Sequence, residues 1–131
     1  MLAKSVPRYS TGPMSPITLD LEKDAGSDEA MAIYHAKGKL SLETVSTFIQ
    51  QLRPDQSAKL VLDLSAVTFL DSAGVGALVS LFVNRRNQGK ALALAGLSPQ
   101  AKAVVLVAGL QNLLPIYGSV QEAATSRVAS V

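Results

Sequence analysis

The sequence predicts a single α/β domain in which a mixed sheet, opened by an N-terminal hairpin, is covered by about four helices. Three observations carry this. Two alternating segments near the start, Ile17 to Glu22 and Ala30 to Lys37, flank the polar turn Asp24 to Glu29 and read as an antiparallel pair. After them, apolar stripes at helical spacing alternate with short apolar runs, as repeated helix and strand units require. The run Leu60-Val61-Leu62-Asp63-Leu64 is short and almost wholly apolar, the pattern of a strand covered on both faces.

Residues 1–16 hold three of the six prolines together with Ser, Thr and Gly, and read as a flexible leader. Within them Pro13-Met14-Ser15-Pro16 has the spacing of a proline-rich ligand, but a plain linker is the better reading. The domain spans 17–125. Its second strand ends at Gly38-Lys39-Leu40-Ser41, where Ser41 is a suitable N-cap. Leu42, Val45, Phe48, Ile49 and Leu52 then form an apolar stripe, closed by Pro54, that predicts a core-facing helix. The strand at Leu60 to Leu64 leads through Asp71-Ser72 into a helix carrying Val75, Leu78, Val79 and Phe82, stopped by the polar run Asn84 to Gly89. Ala91 to Ala95 is another buried strand. Ser98-Pro99 is an N-cap followed by proline at the first helical position, opening a helix through Val107 that stops near Gly109. Leu113 to Tyr117 fits a short edge strand, Val120 to Thr125 a last helix, and 126–131 a frayed tail.

Composition narrows the function. At 131 residues and 48% hydrophobic, the chain builds one core. A formal net charge of +2, with Arg85-Arg86 the one adjacent basic pair, gives no footprint for nucleic acid. No cysteine means no disulfide framework and no thiolate metal site, as suits a reducing compartment. The first residues contain no apolar core of signal-peptide length. The most apolar windows, Ala73 to Val83 and Ala103 to Leu110, fall short of the roughly 20 residues that span a bilayer.

Most chemical constellations fail on spacing. Gly89-Lys90-Ala91 lacks the upstream glycine and the hydroxyl of a phosphate loop. Asp20, Glu22 and Asp24 alternate like a calcium loop, but Ala25 stands where glycine is needed and Met31 where a bidentate glutamate is needed. One histidine, His35, makes no zinc site. Ser72, His35 and an acid name the members of a hydrolase triad, yet the Gly-x-Ser-x-Gly elbow is absent.

What remains is Asp71-Ser72, an acid and a hydroxyl at a helix start. Backbone N–H groups there lack partners within the helix and favour negative charge, a phosphate included. Gly74 and Gly76 remove side chains from the first turn, so another surface can come close. Helix capping alone, worth about 1 kcal/mol, also accounts for the pair. Spacing leaves both roles open.

The stretch Leu62-Asp63-Leu64-Ser65-Ala66-Val67-Thr68-Phe69-Leu70-Asp71-Ser72-Ala73-Gly74-Val75-Gly76 resembles the signature of the STAS family, the sulfate-transporter and anti-sigma-factor-antagonist domains, around its phosphoacceptor serine. Further matches lie at Gly38-Lys39-Leu40, Ser98-Pro99, Gly109-Leu110 and Leu114-Pro115-Ile116-Tyr117, so the likeness covers about 17–125. With no transporter segment attached, the chain is similar to the free-standing bacterial anti-sigma factor antagonists. The resemblance implies a STAS-like fold and a cytoplasmic switch that binds an anti-sigma factor, itself an ATP-dependent serine kinase, and thereby frees a sigma factor. It implies Ser72 as the phosphoacceptor, a PP2C-type phosphatase that restores binding, and a docking surface of Asp71, Ser72, Ala73, Gly74 and Gly76 with Gly38, Lys39 and Ser41. ATP and magnesium belong to the kinase, so no cofactor and no catalysis are expected of this chain. Two positions depart from the family: Gly38-Lys39-Leu40-Ser41 stands where a Gly-Glu-Leu-Asp pattern is common, and Ala73 where a second hydroxyl is. The first changes the local field that a partner meets; the second leaves Ser72 as the one hydroxyl. Within the family the rival role is a subunit of a lipid-transport or stress-signalling assembly in which Ser72 is not phosphorylated. From another class, the rival is a small hydrolase with Ser72 as nucleophile.

Overall fold

A computed structural model describes residues 17–126. The expected leader at 1–16, and the expected tail beyond Ser126, lie outside the described residues. In chain order the elements are β1 (Leu19–Lys23), β2 (Met31–Leu40), α1 (Val45–Leu52), β3 (Lys59–Leu70), α2 (Ser72–Asn87), β4 (Ala91–Ala95), α3 (Pro99–Val107), β5 (Ile116–Tyr117) and α4 (Val120–Thr125). The strands form one five-stranded sheet in the order β1-β2-β3-β4-β5. β1 and β2 are the antiparallel hairpin; β2 to β5 run parallel.

This order places the helices. Three successive parallel crossovers advance across the sheet in one direction, and right-handed crossovers then put α1, α2 and α3 on the same face. Leu60, Leu62 and Leu64 of β3 and Leu92 and Leu94 of β4 meet Phe48 and Leu52 of α1, Leu78 and Leu81 of α2, and Val105 of α3 in the main core. The opposite parity, Val61, Ala93 and Ala95, packs under α4 around Ala123. β3 is therefore covered on both faces, as its apolar run requires.

Several boundaries differ from the sequence reading. β2 continues through Gly38 and Lys39 to Leu40, where a strand end was expected. Gly38 has φ +117°, a conformation that side chains disfavour, and the register with β3 shifts on both sides of it. Those shifts also explain why β3 runs past Leu64 to Leu70: Ser65 and Ala66, then Thr68 and Phe69, are exposed in adjacent pairs, which breaks the two-residue alternation. Ser41 is not the cap of α1. Thr44 holds that position, and Ser41 is buried in the preceding turn, its amide donating to Thr44 Oγ1 at 3.0 Å. Leu42 consequently points outward, 70% exposed, rather than joining the stripe of Phe48 and Leu52. The last strand is reduced to Ile116–Tyr117.

Candidate functional site

Ligand sites in parallel sheets gather at the carboxyl ends of the strands, and the loops there are built from Leu40 onward and from Leu70 onward. Leu40 and Leu70 are register partners, so the two chain segments leave the sheet side by side. Asp71 joins them. Its Oδ1 accepts from the Gly74 amide at 2.8 Å, capping α2, and its Oδ2 accepts from the Leu42 amide at 3.1 Å. The Asp71 amide donates to the Leu40 carbonyl at 3.4 Å. A single carboxylate thus satisfies an orphan donor of the helix and fixes the loop before α1.

Ser72 is the first residue of α2 and is exposed. Gly74, one short turn on, lies against β2: a Cβ there would overlap the Leu40 carbonyl oxygen and the Leu70 side chain. Gly76 faces open space, with nothing near a Cβ placed on it. The two glycines therefore differ in role. Gly74 lets α2 start hard against the strand ends, while Gly76 keeps the outer surface flat beside Ser72. The first turn of α2 contains no acidic residue, so its unpaired N–H groups are not already neutralised beyond the Asp71 cap.

The other expected site residues divide by burial. Lys39 is exposed at the end of β2 and Ala73 is half-buried. Ser41 is buried, its hydroxyl donating to Glu43 Oε1 at 2.9 Å. Gly38 packs against the residues just before β1, where a Cβ would overlap the Thr18 carbonyl; the Lys39 amide donates to that same carbonyl at 2.9 Å. Gly38 and Ser41 thus shape the loop from within, and Lys39, Ser72 and Gly76 form its outer surface.

Two contributors are invisible in the sequence reading. Gln100, early in α3, accepts from the Leu70 amide at 3.0 Å through Oε1 and donates to the Leu70 carbonyl at 2.8 Å through Nε2. It closes the end of β3 as a neighbouring strand would, and an amide side chain behind Pro99 carries no local signal for that. The second is an apolar groove of about 410 Å³ between α2 and α3, lined by Ser72, Val75, Ala103, Val104, Val107 and Ala108.

His35 does not approach Ser72. It lies in mid-β2 opposite Asp63, five residues before Leu40, or about 16 Å along the strand. Its Nδ1 pairs with Asp63 Oδ2 at 2.7 Å and its Nε2 with Asp24 Oδ2 at 3.1 Å. The Asp63 bond, then the Asp24 bond, raises the histidine pKa. Asp24, the last acid of the rejected calcium pattern, binds the Gly26 amide at 2.8 Å as well as His35. Among the described residues no cluster of histidines and acids could hold a metal ion, and no helix is long and apolar enough to cross a membrane.

Comparison with known proteins bears on the fold. The fold is similar to that of an anti-sigma factor antagonist from Mycobacterium paratuberculosis, with 20% identity over 85% of this chain and 95% of that one and a TM-score of 0.71. It is similar also to the unphosphorylated anti-sigma factor antagonist SpoIIAA, at 14% identity over 84% of this chain and 100% of that one, with a TM-score of 0.65. The phosphorylated form of SpoIIAA, from Bacillus, matches at 14% identity over 82% and 100% of the two chains, with a TM-score of 0.61. Such identities speak to the fold. Residues 18–123 match the model of the STAS domain, and the chain belongs to the STAS domain family.

Proposed function

We propose that this chain is an anti-sigma factor antagonist whose binding surface is switched by phosphorylation of Ser72. The observation that carries the reading is an exposed hydroxyl at the first position of α2, on a backbone held by Asp71 and Gly74. Unmodified, the surface of Lys39, Ser72, Ala73 and Gly76 binds a cognate anti-sigma factor and so frees a sigma factor. That partner is an ATP-dependent serine kinase that modifies Ser72, and a PP2C-type phosphatase reverses the modification. The chain itself acts by binding in the cytoplasm and turns over no substrate.

The physics supports such a switch. A phosphoryl group adds about −1.5 to −2 charge. The start of α2 tolerates that charge in the free protein, because its N–H groups and dipole favour an anion. A partner packed on the same spot meets an uncompensated charge taken out of water. SpoIIAA has been solved both unphosphorylated and phosphorylated, and both forms share the fold of this chain. The hydrolase reading loses its base, since His35 is engaged with Asp63 and Asp24 elsewhere on the sheet.

The test uses immobilised wild type, Ser72→Ala and Ser72→Asp exposed to lysate of the source organism with ATP or ADP. Wild type and Ser72→Ala are expected to retain an ATPase of the histidine-kinase-like class, and Ser72→Asp to lose it. Intact mass should show one phosphoryl group on wild type incubated with that ATPase and ATP, and none on Ser72→Ala. Retention of the same proteins by all three, with no phosphoryl transfer, would sink the switch and leave Ser72 as the first residue of a helix in an assembly module.

A further inference from the structure

We propose that a cavity at the end of the sheet opposite Ser72 binds a small zwitterion, a molecule of the amino-acid class that carries both a carboxylate and an ammonium group. This site stands apart from the Ser72 switch. Three observations lead to it.

The first is a preformed hollow. A cavity of about 690 Å³ lies where the chain enters the amino ends of β2, β3 and β4. Its walls are the hairpin turn at Asp28 and Glu29, the loop at Gln56 to Ala58 and the loop at Gln88 to Lys90. The size is within the roughly 300–1,000 Å³ of small-molecule sites. Ala58 ties the walls together: its amide donates to the Glu29 carbonyl at 2.9 Å, and its carbonyl accepts from the Ala91 amide at 2.9 Å. Beneath, the Arg85 guanidinium donates to the Asp55 and Ser57 carbonyls and lies 3.7 Å from the Asp55 carboxylate, which fixes the floor and cancels its charges.

The second is unmet charge on the walls. Lys90 Nζ donates to Gln56 Oε1, and to Gln88 Oε1 at 3.1 Å. Both glutamines are anchored through their amide nitrogens, Gln56 on the Pro54 carbonyl at 3.4 Å and Gln88 on Asn84 Oδ1 at 3.0 Å. Two neutral oxygens thus hold the ammonium in place, and among the described residues no carboxylate pairs with it. One of its three N–H donors is left for a ligand. On the hairpin wall, Asp28 uses Oδ1 for the amides of Ala30 and Met31, at 2.9 Å each, and keeps Oδ2. The Glu29 carboxylate is exposed and belongs to no ion pair among the described residues.

The third is balance. With Asp55 compensated by Arg85, the lining charges are Lys23 and Lys90 against Asp28 and Glu29. A lone anion is drawn to the lysines and repelled by the acids, and a lone cation meets the reverse. A ligand with both charges gains from both walls, its carboxylate on Lys90 and its ammonium on Glu29 and Asp28.

The experiment titrates the full-length protein with glycine, γ-aminobutyrate and ε-aminocaproate, which hold the two charges at increasing separations, and with a panel of L-α-amino acids. Butyrate and butylammonium serve as analogues with one charge each. Binding is read from the amide NMR signals of Ser57, Ala58, Gly89 and Lys90 at constant ionic strength, because such contacts are screened by salt. At least one zwitterion is expected to shift these signals saturably and to bind more tightly than either analogue. Lys90→Met and Glu29→Gln should each weaken that binding by about two- to fivefold, the effect of losing one partly exposed ion pair, and Lys102→Met, outside the cavity, should not. Melting temperatures check the fold, and Glu29→Gln keeps the test usable should Lys90→Met disturb its loop. Butyrate binding as tightly as the zwitterions overturns the proposal in favour of a plain anion site, and butylammonium doing so overturns it in favour of a cation site. Shifts that do not saturate, that lie elsewhere, or that are the same in every variant mean that the cavity holds no such ligand.

Discussion

At the scale of single residues, the site turns on Asp71, whose two carboxylate oxygens serve two different chain segments. Removing both bonds in Asp71→Ala should destabilise the fold by about 1–2 kcal/mol, while Asp71→Asn, which keeps one acceptor oxygen, should lose less. Urea unfolding at fixed pH checks this, and an unchanged midpoint for the alanine variant would mean neither bond contributes. The pair Asp71-Ser72 was legible because an acid and a hydroxyl before an apolar stripe form a local pattern. Ser41 was misread for the same reason: capping residues look alike wherever a helix begins, and only the turn bonded through Thr44 assigns the cap. His35 shows another limit, since its partners lie 11 and 28 residues away in sequence. Its raised pKa gives stability that is full below the ordinary value of 6.5 and lost as pH rises through the folded value. Asp24 is held low by the Gly26 amide and then by His35. At Asp63, burial alone would raise the pKa, but the Ser65 amide and hydroxyl bonds and His35 outweigh it. Both carboxylates give stability that is present above 3.8 and lost as pH falls through their folded values. The advantage of wild type over His35→Gln should therefore be greatest between those two limits and should shrink toward alkaline pH. Melting temperatures of both proteins from pH 3 to 9 decide it, and a difference that is flat with pH would refute the pairing.

At the scale of elements, α2 is placed by how closely its first turn can approach β2. Two glycines, Gly74 in that turn and Gly76 just beyond it, give opposite predictions. Gly74→Ala puts a methyl group into the Leu40 carbonyl, which is backbone and cannot swing aside, and should cost about 1–3 kcal/mol. Gly76→Ala meets nothing and relieves a helix interior of its most flexible residue, so it should gain up to about 1 kcal/mol. Thermal melts of the two variants should move apart; shifts in the same direction would mean that the helix start is not wedged against the strand end. The sequence shows two glycines and does not tell them apart, because the difference comes from β2, more than thirty residues earlier. The interior elements were legible: α2, β4, α3 and α4 have the expected ends, since each is bounded by its own local signals such as Ser98-Pro99 and Gly89. The extensions of β2 to Leu40 and of β3 to Leu70 were not. They are set by strand pairing across a register shift, and pairing leaves no trace in either segment alone.

At the scale of the whole molecule, the end of the sheet opposite Ser72 is locked by a buried arginine that the sequence reading assigned to a polar helix stop. Arg85 is 2% exposed, whereas its neighbour Arg86 is exposed. A periodic signal did exist: position 85 follows Leu78 and Leu81 on the buried stripe of α2, but a charged residue there reads as the end of the stripe. Its guanidinium donates to the carbonyls of Ala91 at 2.8 Å, Asp55 at 3.3 Å and Ser57 at 2.6 Å, tying α2 to β4 and to the loop before β3. It also lies 3.7 Å from the buried Asp55 carboxylate, which accepts from the Tyr34 hydroxyl at 2.8 Å. Burial alone would raise the Asp55 pKa, but the Ser57 and Tyr34 bonds and the Arg85 charge outweigh it and hold the group ionised. Burial, and then Asp55, pushes the Tyr34 phenol up to about 12. Arg85→Met keeps much of the side-chain volume but leaves the buried Asp55 carboxylate with only the half-exposed Lys23, at 3.7 Å, as its cation and three carbonyls without a donor, which should cost about 3–5 kcal/mol. That corresponds to a fall in Tm on the order of 10 °C or more. Arg85→Lys keeps the charge but cannot reproduce the planar fork, so it should recover only part of the loss. β3 runs the whole distance from this lock to Ser72, about 36 Å for its length. Folded Arg85→Met, assayed well below its melting temperature, should therefore bind the kinase and accept a phosphoryl group on Ser72 as wild type does. Should Arg85→Met lose kinase binding while its circular dichroism matches wild type, the two ends of the sheet would be coupled, and the partner surface could not be confined to the Ser72 end.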